Sequence, residues 1–150
     1  SCRKYRYALW RNWNDSIPRV LIIGLNPSTA DENNDDPTIL RCMSFAKSWG
    51  YGGISVGNLF ACCAKLPSVM KSYDDPRGKV NDIWISKLAS EATMVVAAWG
   101  NDGKYLNRSR EIQRTISNLY CIKINKTGEP AHPLYLKSDL KPVPFRVANH

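Results

Sequence analysis

Two unbroken apolar runs constrain the fold of this chain more than any other feature of its sequence. They are RVLIIG at 19–24 and TMVVAAWG at 93–100. Apolar runs that do not alternate with polar residues are typical of strands buried on both faces of a parallel sheet. Both runs are far shorter than the ~20 residues that a membrane-spanning helix requires. The sequence therefore predicts a covered, mainly parallel sheet and no membrane partner.

Further strands and helices are predicted before, between and after these two apolar runs. Strand patterns are predicted at 4–10 (KYRYALW, at a sheet edge), 19–23, 54–59 (ISVGNL), within 93–100 and at 119–125 (LYCIKIN). Asp36 before Pro37 is typical of a helix start, because a carboxylate caps the first turn and proline suits its first position. Strands that alternate with helices of 10–15 residues predict one α/β domain over 1–150, a three-layer sandwich around a central, mainly parallel sheet.

Two further helices are predicted downstream. Ile83, Trp84, Leu88 and Ala92 outline the first, and Tyr105, Ile112, Ile116 and Leu119 outline the second. Asn101 or Asp102 is expected to cap the second helix. The segment between 59 and 82 is expected to be a polar loop.

The net charge of +8 indicates a polyanionic partner, and we expect DNA. Residues 104–150 carry nine basic and three acidic side chains, so the excess lies in the C-terminal third. The alternative is a basic surface that only keeps the protein soluble. The five cysteines form no CxxC pair and only two histidines are present, so we expect reduced thiols in a cytoplasmic protein and no metal. The glycines form neither a GxGxxG nor a P-loop motif, so we expect no cofactor. We also expect a monomer.

Polar or glycine-rich segments follow four of the predicted strands. They are GLNPST at 24–29, GNLFA at 57–61, WGNDG at 99–103 and GEPAHPLYL at 128–136. Ligands of open α/β sheets bind outside the carboxyl ends of the strands. We therefore expect these four segments to meet at one edge of the sheet and to form a binding site.

Three polar side chains in these segments are candidates for function. His132 can donate to a developing anion or move a proton, although a lone histidine is more often a satisfied loop residue. Asn26 can hold a water or a substrate edge, or can simply shape a turn. Asn58 is polar in an apolar strand and needs partners, which a base edge or a neighbouring backbone would supply equally well. Ser28 lacks the GxSxG context of a serine nucleophile.

The loop STADENNDD at 28–36 crowds four carboxylates beyond the first apolar strand: Asp31, Glu32, Asp35 and Asp36. Such a group could bind a hard cation. The simpler interpretation is that Asp36 caps its helix and the others are solvated.

Taken together, these motifs resemble the uracil-DNA glycosylase superfamily. GLNP at 24–27 is similar to its G-x-[DN]-P motif, SVGN ending at Asn58 to its base-reading strand end, VVAAWG at 95–100 to a strand found in some branches, and AHPLYL at 131–136 to its His-Pro loop. A closer likeness is to a small bacterial and phage family of unknown function with a GLNPSTADE…HPLYL signature. The first resemblance implies a uracil-DNA glycosylase-like fold. It also implies base excision, which is cleavage of the N-glycosidic bond of a base in DNA.

The resemblance also implies roles for individual residues. The implied catalytic residues are Asn26, which orients water, and His132, which stabilises the leaving base. The implied substrate-binding residues are Gly24, Leu25, Pro27, Ser28, Asn58, Trp99 and Asn101. The implied DNA-binding residues are Lys104, Arg108, Pro133, Leu134, Tyr135 and Lys137.

Three departures from the superfamily pattern point to a specialised or modified base. Asn26 stands where the efficient uracil enzymes have an aspartate, Leu134 replaces the serine after His-Pro, and 28–38 contains no aromatic residue to stack on the base. The alternative function is a non-catalytic module that binds nucleic acid, a nucleotide or a protein on the same fold. Metal-assisted hydrolysis of a nucleotide-like molecule ranks below both.

Overall fold

The computed structural model describes residues 4–145 and shows an α/β fold with six strands in one mixed sheet and four α-helices. The strands are β1 (Leu9–Asn12), β2 (Arg19–Gly24), β3 (Gly53–Asn58), β4 (Met94–Ala97), β5 (Leu119–Cys121) and β6 (Val143–Pro144). The helices are α1 (Pro37–Ser48), α2 (Pro67–Lys71), α3 (Asn81–Glu91) and α4 (Arg108–Thr115). A 3₁₀ segment, Asn101–Asn107, precedes α4.

The sheet has the order β1-β3-β2-β4-β5-β6 and is parallel only in part. Its four central strands, β3, β2, β4 and β5, pair in parallel, which places their carboxyl ends at one edge. The two edge strands, β1 and β6, pair antiparallel to their neighbours. The α/β class is therefore confirmed, and the central apolar runs form the parallel strands as predicted.

The edges of the sheet differ from the sequence predictions. The strand predicted at 4–10 begins only at Leu9, and Tyr5 makes an isolated bridge to Cys62. The strand predicted at 119–125 ends at Cys121, and β6 is not predicted at all. A strand of two residues, one of them proline, is too short to show an alternating pattern in the sequence. It forms only through its long-range pairing with β5.

Helix α1 begins where its sequence predicts. The Asp36 carboxylate accepts the N–H of Ile39 at 2.8 Å, and Pro37 occupies the first helical position. This cap satisfies a backbone donor that the first turn leaves without a partner. The helix ends at Ser48, just before Gly50 adopts a φ of 87°.

The other helices correct three predictions. The expected loop after β3 contains the short helix α2, and α3 leaves Ile83 71% exposed while it buries Leu88. The helix expected to start near Asn101 starts at Arg108 instead, and neither Asn101 nor Asp102 caps it. Leu106 and Asn107 adopt positive φ values of 51° and 62°, which interrupt the helical path.

Apolar side chains pack on both faces of the sheet. Leu21 and Ile23 of β2 belong to a cluster with Leu88 of α3, whereas Val20 and Ile22 belong to a second cluster with residues of α1. Alternate residues of a strand point to opposite faces, so a strand covered on both sides needs an unbroken apolar run. No helix within residues 4–145 combines the length and apolarity needed to cross a bilayer.

Candidate functional site

A cavity of about 310 Å³ lies at the carboxyl ends of β2 and β3. Its buried, mostly apolar lining comes from β1, β2, β3, α1, the exit of β4 and the loop before α1, and includes Leu9, Ile22, Ala30, Ile39, Cys42, Val56 and Ala98. Polar lining comes from the loops that follow the strands. An apolar chamber with a few convergent polar groups is the usual form of a small-ligand site.

The cavity brings together most of the predicted site residues. Asn26, Asn58 and His132 all line it, although they are separated by more than a hundred positions along the chain. The lining also includes Gly24, Leu25, Pro27, Ser28, Pro133 and Leu134. Residues from the ends of β2 and β3 share this cavity because the two parallel strands end side by side, with Gly24 opposite Asn58.

Asn58 presents an unused carboxamide to this cavity. The residue is only 8% exposed, and its side chain makes no hydrogen bond to any residue in 4–145. Its backbone carbonyl is fixed separately, because the Asn81 side chain donates to it at 2.8 Å. A Cβ atom on Gly24 would lie 2.7 Å from Asn58 Oδ1, so the glycine leaves room for this amide. Because the Asn58 side chain lines the cavity, its amide is available to the edge of a ligand or to water.

Asn26 is held by the backbone in one orientation. Its Nδ2 donates to the carbonyl oxygens of Pro27 at 2.9 Å, Ala64 at 2.8 Å and Cys62 at 3.4 Å. The amide nitrogen is therefore fully used, and only Oδ1 remains as an acceptor for a ligand or water. The exit of β2 is further tied to this segment because Ala64 N–H donates to Pro27 O at 2.9 Å.

His132 has a defined tautomer. Its Nδ1 accepts the backbone N–H of Leu134 at 3.2 Å, so Nδ1 carries no proton and the neutral ring carries its proton on Nε2. Partial burial lowers the pKa of His132 below its usual value, and the nearby negative charge of Asp36 opposes that shift. At neutral pH the ring is thus an uncharged donor at the edge of the cavity.

No activated nucleophile lines the cavity within the described part of the chain. Burial raises the pKa of Cys42 to about 12, so this thiol stays protonated. Ser28 is exposed and its hydroxyl has no hydrogen-bond partner among residues 4–145 that could act as a base. Covalent catalysis by either side chain has no support from this geometry.

Three of the four carboxylates in the acidic loop make hydrogen bonds or an ion pair that stabilise the fold. Asp31 accepts the backbone N–H groups of Asn33 and Asn34, and these bonds, that of Asn33 above all, lower the pKa of its carboxyl. Asp35 pairs with Arg11 at 2.6 Å. Asp36 caps α1 and also accepts Ala30 N–H at 3.3 Å, while residues 4–145 contain no group of three metal-binding side chains.

Two predicted substrate-binding residues lie elsewhere. Trp99 is 1% exposed and its Nε1 donates to Glu129 at 2.9 Å, so it is part of the core. Asn101 accepts hydrogen bonds from Asn125 and Thr127, and thereby holds two exposed loops together. Neither residue lines the cavity. The local sequence around Trp99 and Asn101 would be the same whether they bound a substrate or held the fold together, so it could not distinguish the two roles.

Arg108 corrects a predicted DNA contact. Its side chain is 2% exposed and donates to Leu59 O at 2.9 Å, Asp82 at 2.8 Å and Glu111 at 2.9 Å. A guanidinium that is buried and already bonded to two carboxylates cannot reach a phosphate. Arg108 instead joins α3 to α4 beneath the end of β3.

The remaining predicted DNA contacts lie on the surface. Lys104 and Lys137 are exposed. Tyr135 is 99% exposed with a φ of 70°, and it directly follows Leu134 of the cavity lining. An aromatic side chain in a left-handed conformation at a loop tip is uncommon for a residue other than glycine.

Sequence reasoning missed two cations of the site, Arg6 and Lys65, both of which line the cavity. Arg6 is placed by long-range pairing, since its backbone N–H donates to Ala61 O at 2.7 Å. Lys65 follows the segment that holds Asn26. No local motif marks either residue.

A family model described as "Protein of unknown function (DUF1643)" matches residues 6–134. All residues that line the cavity fall within this range. No curated protein and no solved structure matches the chain.

Proposed function

This chain belongs to the DUF1643 family of proteins of unknown function, and from the geometry of its cavity we propose that it is a DNA glycosylase-like enzyme. The proposed reaction is hydrolysis of the N-glycosidic bond of a modified or mismatched base in DNA. One observation carries the proposal: Asn26, Asn58 and His132 line a single chamber, and the carboxamide of Asn58 has no hydrogen-bond partner there among residues 4–145.

The size and polarity of the chamber suit a single base. At about 310 Å³ it is near the lower end of ligand-binding cavities, which run from roughly 300 to 1,000 Å³. A carboxamide offers an acceptor and a donor side by side, which complements the donor–acceptor edge of a nucleobase. The mostly apolar walls would cover the faces of the ring, and the free amide of Asn58 would select its edge.

The polar groups fit the charge changes of glycosidic cleavage. When the bond between the sugar carbon and the base nitrogen breaks, the electron pair leaves with the base and positive charge develops on the sugar. The Nε2–H of His132 would donate to the anionic base. Asn26 Oδ1 would accept a hydrogen bond from the water that adds its oxygen to the sugar carbon. Asn26 takes up no proton, so one hydrogen of that water stays on the new hydroxyl of the sugar and the other reaches the anionic base as a proton through the solvent.

Features outside the chamber support an approach by DNA. Tyr135 projects from the loop that also contributes Pro133 and Leu134 to the lining. A base that enters such a pocket leaves a gap in the stack, which apolar or aromatic side chains commonly fill. The order of the strand-exit motifs resembles that of the uracil-DNA glycosylases, and the proposal includes their three-layer sandwich fold. The exposed Lys104 and Lys137 would contact phosphates.

A second candidate is a binding module with the same chamber but no catalysis. The observation that favours it is the fixed amide of Asn26, whose nitrogen is bonded to three carbonyls. Among residues 4–145, the carboxylate that lines the cavity is Asp36, and it already accepts two backbone N–H groups. General-base activation of water would then be weak, and recognition without turnover would follow.

Incubation with a panel of duplexes distinguishes these functions. The panel carries uracil, mismatched thymine, and hydroxymethylated and glycosylated pyrimidines, and alkali cleavage reports abasic sites. We expect abasic sites on at least one duplex, and we expect Gly24→Ala to abolish them because its Cβ displaces the Asn58 amide. Gly128→Ala is the matched control, since a Cβ there meets no atom within 4 Å. Binding of a duplex without cleavage of any base would leave the binding module as the function.

A further inference from the structure

Arg6 is an arginine with unused donors inside a cavity. Its side chain is 25% exposed and lines the chamber, yet it makes no hydrogen bond to residues 4–145. Its Nη2 lies 3.9 Å from the Glu32 carboxylate, which is 79% exposed, and its charge also helps to lower the pKa of the nearby Asp31 carboxyl. An exposed pair at that distance contributes little, so the five N–H donors of the guanidinium remain free.

Comparison with other arginines shows that this arrangement is particular to the site. Arg11 donates to Asp35 and to the carbonyls of Asp31 and Asn34. Arg108 donates to three acceptors. Both side chains complete the fold. The Arg6 side chain is 25% exposed, compared with 16% for Arg11 and 2% for Arg108, and it donates no hydrogen bond to any residue in 4–145.

Lys65 adds a second cation at the same cavity. It is exposed and lines the chamber next to Ala64 and Pro67, so its ammonium lies at the rim. The ionisable groups of the lining are Arg6, Lys65, Asp36, His132 and Cys42. Asp36 is bonded to backbone N–H groups, His132 is neutral at pH 7 and Cys42 is protonated. The interior of the cavity therefore does not neutralise these two cations, and the carboxylates that interact with Arg6, Glu32 and Asp31, lie outside the lining.

We propose that Arg6 and Lys65 form a phosphate subsite, so that the ligand of this cavity is a nucleotide whose base lies inside and whose phosphate lies at the rim. The inference rests on the proposed function, because it takes the chamber to be a base pocket. A guanidinium presents a planar fork that matches two phosphate oxygens, and an ammonium adds a point charge. The phosphate can belong to a mononucleotide or to a strand of DNA, and the two sources are separable.

Binding measurements with matched pairs of ligands test the subsite. Deoxyuridine, thymidine and deoxycytidine are compared by calorimetry with their 5′-monophosphates, and a short single-stranded oligonucleotide is titrated at several salt concentrations. We expect at least one monophosphate to bind about tenfold tighter than its nucleoside. Arg6→Gln and Lys65→Gln should each remove most of that preference. If the phosphate belongs to a strand, each variant instead lowers the salt slope for the oligonucleotide by about 0.7.

Lys87→Gln on α3 is the control because it removes the same charge at another place. It should leave the preference for the monophosphate and the salt slope for the oligonucleotide unchanged. The subsite is overturned if neither arm shows a phosphate effect, if no ligand binds, or if Lys87→Gln acts like Arg6→Gln. A phosphate preference without excision of any base removes the proposed glycosylase and leaves the subsite. Base excision that neither Arg6→Gln nor Lys65→Gln changes would remove the phosphate subsite and leave the proposed glycosylase. Thermal midpoints check that both variants fold; Lys65 is exposed, so its variant is expected to remain folded even if Arg6→Gln does not.

Discussion

Asn26→Asp is expected to lower the free energy of unfolding by about 2–4 kcal/mol at pH 7. The Nδ2 group that donates to three backbone carbonyls becomes an oxygen, so attraction is replaced by repulsion between a carboxylate and the carbonyls of Pro27, Cys62 and Ala64. Chemical denaturation of the variant and the wild type gives the difference. This geometry also explains why an amide, and not a carboxylate, stands at this position.

The pH dependence separates charge repulsion from loss of hydrogen bonds alone. Three carbonyl oxygens raise the pKa of the new carboxyl above its unfolded value of about 4, so the folded state binds its proton more tightly. Stability relative to the wild type should therefore recover as the pH falls from 7 toward 4. Asn118→Asp, at an exposed position, is the matched control and should show neither effect. A variant as stable as the wild type at pH 7 would contradict the observed hydrogen bonds.

His132→Ala is expected to lower kcat for base excision by about 10²–10³-fold, the usual cost of one donor to a developing anion. KM should change little, because the Nε2–H contributes mainly when charge appears on the departing base. His132→Gln restores an N–H donor and should recover part of the rate. Single-turnover assays of base excision, on the duplex from which the wild type releases a base, measure both variants.

The pH profile of the wild type follows from the state of the ring. Because burial holds the pKa of His132 below its usual value of about 6.5, the neutral donor persists through neutral pH and is lost only in acid. Protonation would also place a hydrogen on Nδ1 against the Leu134 N–H. We therefore expect a flat rate between pH 7 and 8 and a fall below the usual histidine pKa. A His132→Ala variant with the rate of the wild type would exclude the ring from catalysis.

The parts of the fold that were predictable have local causes. The strand β2 is an unbroken apolar run because both of its faces are covered, and α1 begins at Asp36 because a carboxylate before a proline favours that start. The strand-exit rule then placed Asn26, Asn58 and His132 together, since parallel strands end at one edge. Their shared cavity follows from topology, which the alternation of elements already indicates.

The parts that were missed have long-range causes. The sequence around Arg108 predicts an exposed cation, but its hydrogen-bond acceptors Asp82 and Leu59 lie far away in the sequence. Arg6 reaches the cavity because the chain before β1 runs beside the segment after β3, and β6 pairs with β5 only through the completed sheet. Such contacts are fixed by tertiary packing, so no short pattern reports them.

The side-chain amide of Asn58 offers the most direct test of the account, because a base in the chamber must meet it. Nuclear magnetic resonance of protein labelled with ¹⁵N, with Asn58→Ser to assign the signal, follows this amide during titration with deoxynucleoside monophosphates and single-stranded DNA. We predict that the Asn58 signal shifts at saturation while that of Asn26, already bonded to three carbonyls, shifts much less. An Asn58 signal that stays fixed while any of these ligands binds would contradict the base pocket.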